Sequence, residues 1–79
     1  ADSLSLAQHF ILEFIEKYPQ YIQAQLHLIN LKWQMGQVHE AKFMYLNCLN
    51  QSSAQAKNIF EINPKLLDDS DFLHLTDDL

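Results

Sequence analysis

Apolar residues recur along the chain at spacings of three and four, the period of one helix face. Leu4, Ala7, Ile11, Phe14 and Ile15 form the first such stripe, which Phe10 widens, and they predict an amphipathic helix over 3–17. Asp2 or Ser3 stands where a side-chain oxygen can accept from the free N–H groups of the first turn. Pro19 ends this helix, because proline disfavours the helical conformation of the residue before it. A second helix is predicted over 21–35, with Ala24, Leu28, Leu31 and Met35 on its core face. Gly36 ends it, since glycine enters the left-handed cap conformation without strain. Val38, Ala41, Met44, Tyr45, Cys48 and Leu49 mark a third helix over 38–50. Ser52 or Ser53 then caps a short fourth helix over 53–62, carrying Ala54, Ile59 and Ile62 and stopped by Asn63-Pro64.

These elements define an all-α chain. One Gly and two Pro in 79 residues leave too few turn formers for a sandwich or barrel. The predicted loops are two or three residues long, which makes neighbouring helices antiparallel hairpins. The length suits one small domain, taken as 1–67, followed by an acidic tail over 68–79.

Charge separates those two parts. Through residue 67, Asp2, Glu13, Glu16, Glu40 and Glu61 balance Lys17, Lys32, Lys42, Lys57 and Lys65. The whole net charge of -5 comes from Asp68, Asp69, Asp71, Asp77 and Asp78. No Arg is present and the Lys residues do not cluster, which argues against nucleic acid and against an anionic membrane surface as partners. No apolar run reaches the ~18 residues a membrane span needs. Phe72, Leu73 and Leu75 are apolar islands among the tail's acids. That tail has three readings: a mobile solubilising end, a segment that folds on a partner, or a strap that folds back and blocks a groove.

An offset of 34 residues superimposes the first stripe on the third. Leu4 falls on Val38, Ala7 on Ala41, Phe10 on Met44, Ile11 on Tyr45, Phe14 on Cys48 and Ile15 on Leu49. Punctuation adds to the match: Gly36, then Ala41 after Glu40, then Tyr45 and the small Cys48, with Pro19 just before the second helix. This set resembles the tetratricopeptide repeat family, whose unit is a helix-turn-helix with small residues at those points. Residues 22–51 resemble most of one repeat, 3–19 the second helix of a preceding half repeat, and 53–62 a capping helix. The chain departs from the pattern at Leu28-Ile29, where a Leu-Gly pair is usual, and at Lys32-Trp33.

The resemblance implies a right-handed array of about four helices whose second helix lines a groove. Gln23, Leu26, Asn30, Trp33 and Gln34 then face that groove, with His27 at its edge. Trp33 also has a core reading, packed with Leu26 against the first or fourth helix. Some members of the family grip acidic chaperone C-termini with basic groove side chains. Gln23 and Leu26 stand at such positions here, so a neutral or weakly polar peptide or protein suits the groove better. The alternative is self-association, with Phe10 and Phe14 burying against a second copy as a homodimer.

No enzyme chemistry is legible. His9, His27, His39 and His74 lack a nearby His or Cys at metal-ligand spacing, so no metal site and no cofactor are expected. Cys48 lies on an apolar stripe and reads as a small core residue. As the sole cysteine it forms no internal disulfide, which favours a reducing, cytoplasmic setting. Ala1 in place of Met suggests an excerpt of a longer chain.

Overall fold

In a computed structural model that describes residues 3–77, the chain folds as an all-α arrangement of antiparallel hairpins. Helices α1 (Ser3–Lys17), α2 (Ile22–Gln34) and α3 (Val38–Gln51) occupy the predicted spans. The proposed cap by Asp2 lies outside the described residues.

Punctuation residues act where the sequence places them. Gly36 takes φ +84°, the αL conformation. Its N–H donates to the Trp33 carbonyl (3.1 Å), and the Gln37 N–H reaches back to the Lys32 carbonyl (2.8 Å). This pair of bonds is a Schellman cap, which satisfies the last carbonyls of α2 while reversing the chain. Lys32 then bridges the turn to Glu40 at 2.7 Å. After Pro19, the Gln25 side-chain amide donates to the Pro19 carbonyl at 2.7 Å and pins the α1–α2 connection. Ser52 caps the next helix, accepting from the Gln55 N–H.

Helix α2 is the hub, touching α1, α3 and the two short helices that follow. An element with neighbours on several sides needs apolar residues around most of its circumference. The predicted stripe is half of the answer. Leu28 and Leu31 are buried, but the central cluster draws on Ile22, Leu26 and Ile29 instead. These pack with Ala41, Tyr45, Cys48 and Leu49 of α3. Ala41 is fully buried at the α2–α3 contact, where a small side chain permits close approach.

Two regions differ from the sequence expectation. The fourth helix is broken into α4 (Ser53–Ala56) and α5 (Ile59–Ile62). Between them the bonding tightens to the i−3 pattern, as in Phe60 N–H to the Lys57 carbonyl (3.3 Å) and Glu61 N–H to the Asn58 carbonyl (3.0 Å). The larger correction concerns the acidic segment. Pro64–Asp68 forms a 3-10 turn and Ser70–Asp77 forms helix α6. Leu66 and Phe72 are fully buried in the central cluster, and Phe72 stacks on Tyr45 with ring centroids 5.2 Å apart. The segment set apart as a tail therefore completes the core; residues 78 and 79 lie outside the described part.

Two acids allow this folding rather than oppose it. Asp69 precedes α6 and accepts from the Asp71 N–H at 3.0 Å, capping the helix. Its other carboxylate oxygen accepts from the Trp33 indole N–H at 3.0 Å. Asp71, in the first turn of α6, pairs with Lys42 of α3. Negative charge at a helix N-terminus is favoured by the exposed N–H dipoles.

Candidate functional site

Helix α1 is anchored by half a face. Leu4, Ala7, Ile11 and Ile15 are half-buried, and no α1 side chain is fully buried. A second row, Leu6, Phe10 and Phe14, recurs every fourth residue beside the first and stays exposed at 54%, 61% and 41%. The row continues through the α1–α2 turn. Phe14 packs on Tyr18 (4.9 Å) and meets Tyr21 edge-on (5.7 Å), and both tyrosines are exposed.

Against α2 this row forms an open cleft of about 380 Å³, lined by Phe10, Ile11, Phe14, Tyr21, Gln23, Ala24 and His27. No carboxylate or ammonium lines it. Elsewhere on α1, His9 Nε2 lies 3.1 Å from Glu13. Contiguous exposed apolar surface of this kind marks a docking surface more often than an isolated exposed leucine does.

The residues expected to share one groove are divided by the structure. Gln23 and His27 line the α1–α2 cleft beside Phe10 and Phe14. Gln34 is exposed at the far end of α2. Leu26 is fully buried in the core, so no partner can reach it. Asn30 is half-buried and its carbonyl oxygen accepts from the Asn63 side-chain amide at 2.7 Å, which ties α2 to the turn before Pro64. Trp33 is half-buried against the core and bonded to Asp69, in keeping with its core reading. Position around and along α2 explains the division. His27 stands about 100° around the helix from the inward-facing Leu26, whereas Gln23 and Asn30 share a face two turns apart and meet different neighbours, the α1 cleft and the Asn63 turn. Sequence reasoning missed Ile11, Tyr21 and Ala24 as cleft residues. The signal that could have found them was the Leu6–Phe10–Phe14 row, one stripe more than α1 needs to pack on α2.

Other hollows are more polar. One of about 320 Å³ lies among Gln20, Tyr21, Ile22, Gln23, Gln55 and Asn58. A second, of about 330 Å³, holds Phe43, Leu46 and Leu75 but is flanked by Lys42, Asp71 and His74. Lys42 holds the Asp71 carboxyl below the ordinary carboxylate range. Cys48 is buried, its thiol donates to Gln25 Oε1 at 3.3 Å, and burial pushes its pKa up to about 11. A protonated, enclosed thiol is a poor nucleophile. Among the described residues no helix is long and apolar enough to cross a membrane. Compared with known proteins, the chain matches no family model, no curated protein and no solved structure.

Proposed function

We propose that this chain is a non-catalytic protein–protein interaction module that docks its partner on the outer face of α1 and the cleft between α1 and α2. One observation carries the reading: α1 leaves the contiguous row Leu6, Phe10 and Phe14 open to solvent, beside a cleft that no carboxylate or ammonium lines. Helix-in-groove recognition uses apolar anchors spaced one turn apart, which suits such a row. The inert Cys48 supports a binding role over thiol chemistry. The tetratricopeptide-like reading is retained as part of this proposal. It is supported by the Gly36 turn and by buried Ala41 between α2 and α3. The proposed docking surface departs from the groove along α2 that the resemblance implies, because Leu26 is buried and Asn30 and Trp33 are bonded within the fold.

An apolar fluorescent dye, anilinonaphthalene sulfonate, tests the surface in dilute protein, since such dyes report exposed apolar patches. Phe10→Glu is expected to lower the dye signal several-fold. Phe43→Glu, at a site 67% exposed on α3, is expected to leave it intact. Equal signals from both variants would contradict the assignment.

A further inference from the structure

We propose that the occupant of the α1 face is a second copy of this chain, with the two α1 helices packed antiparallel about a two-fold axis at Phe10. The proposal rests on α1 being the docking element and adds the identity of the partner.

The first argument is spacing. A two-fold contact needs a surface that matches itself when reversed. Phe10 is the midpoint of Ser3–Lys17, and Leu6 and Phe14 stand four residues to either side. Reversal about Phe10 lays Leu6 of one copy on Phe14 of the other and brings the two Phe10 rings together at the axis. Aromatic rings at such a centre pack in offset or edge-on fashion.

The second argument is charge. In this register Glu13 faces Ala7 of the other copy, Glu16 faces Leu4 and Lys17 faces Ser3, so no carboxylate of α1 stands directly opposite another. His9 of each copy comes within a turn of Glu13 of the other. It already lies 3.1 Å from its own Glu13, so the pair can be shared as a four-membered cluster.

The third argument is area. Leu6, Phe10, Phe14, Tyr18 and Tyr21 are between 41% and 61% exposed. Large side chains present ~150–250 Å² each, so the patch offers about 500 Å² per copy and about 1,000 Å² across a dimer, the lower bound for a specific interface. A reversible dimer is the consequence. The apolar side chains on α3, Phe43 and Leu46, offer a weaker alternative, because Lys42 and Asp71 lie among them. Joining that face to α1 would be a heterologous contact, which does not close at two copies unless the geometry forms a ring.

Light scattering from about ten micromolar to about one millimolar covers the range for a contact of this size. The mass is expected to climb from 9.3 kDa toward twice that value and stop. Phe10→Glu is expected to raise the dissociation constant at least about 30-fold with an unchanged far-ultraviolet spectrum. Phe10→Cys places a thiol on the axis, and Cys48 is buried and does not compete. Mild oxidation should give a covalent dimer from Phe10→Cys and none from Leu12→Cys. Leu12 is 45% exposed but turned about 200° around the helix from Phe10. A mass fixed at 9.3 kDa, a mass that rises past two copies, a dimer indifferent to Phe10→Glu, or equal crosslinking at both positions would each overturn the proposal. If the mass stays fixed while the dye signal still depends on Phe10, the second copy is wrong and the docking surface stands. If the dye signal is also independent of Phe10, both fail.

Discussion

Helices α1 and α6 flank the same α2–α3 pair and use their apolar residues in opposite ways. The 8-residue α6, set among acids, buries Phe72 completely against Tyr45. The 15-residue α1, with far more apolar surface, fully buries nothing. Composition alone would reverse that order. What decides it is whether the polar atoms near each apolar residue find partners inside the fold. The acids at the start of α6 do: Asp69, just before it, caps the helix and holds Trp33, and Asp71 holds Lys42. The outer row of α1 stays largely open to solvent among the described residues. The contrast separates residues that build the fold from residues available for a partner.

The largest test sets Phe72→Ala against Phe10→Ala in urea unfolding. Truncating a buried Phe costs ~3–5 kcal/mol, a large part of the ~5 kcal/mol stability available to a domain this small. Phe72→Ala should therefore populate the unfolded chain without denaturant. Phe10→Ala, compared in protein dilute enough to be monomeric, should stay within ~0.5 kcal/mol of the parent, as exposed substitutions do. Equal losses would break the comparison.

Asn63→Ala comes next. Asn63 is buried, its amide donates to Asn30, and its carbonyl oxygen accepts from the Lys65 N–H at 3.1 Å. Losing both bonds is expected to cost ~1–3 kcal/mol in the same assay and to loosen the turn that leads into α6. A variant as stable as the parent would contradict the structural role given to Asn30. Gly36→Ala has a smaller, purely conformational effect. No atom lies within 4 Å of the added methyl position, so the positive φ alone sets the penalty, ~1 kcal/mol. A neutral result would mean the turn relaxes out of the αL conformation.

The smallest effect is a pH dependence. The usual Asp71 pKa of 3.8 is lowered by the Lys42 hydrogen bond and charge. The pair therefore stabilises the folded chain above pH 3.8 and loses that contribution as pH falls through the lower folded value. The pair is solvent-exposed on the Asp71 side, so its contribution is small. Lys42→Met should flatten that portion of the acid-unfolding curve, and an unchanged curve would remove the ion pair from the account of α6.

The first three helices were legible because their stripes are punctuated by strong local signals, Pro19 and Gly36, that act regardless of tertiary context. The break at Lys57–Asn58 was not, since neither residue is a helix breaker and the change to i−3 bonding carries no residue-type mark. Helix α6 was hidden by its own caps: the aspartates that satisfy its first turn also look, in one dimension, like a repelling run. The candidate site was half legible. Phe10, Phe14, Gln23 and His27 were picked out, but Leu26, Asn30 and Trp33 were assigned to a groove when Leu26 is buried and the other two are bonded within the fold. A helix that packs on both flanks, as α2 does, offers no single polar face from which to infer the exposed side.

The most direct test of α1 as the surface that receives a second copy is a dilution series followed by residue-resolved amide chemical shifts. The account predicts shifts that move with concentration across α1 and along Tyr21 to His27, while amides around Tyr45 and Phe72 stay fixed. Movement centred on Phe43 and Leu46, with α1 unchanged, would contradict it.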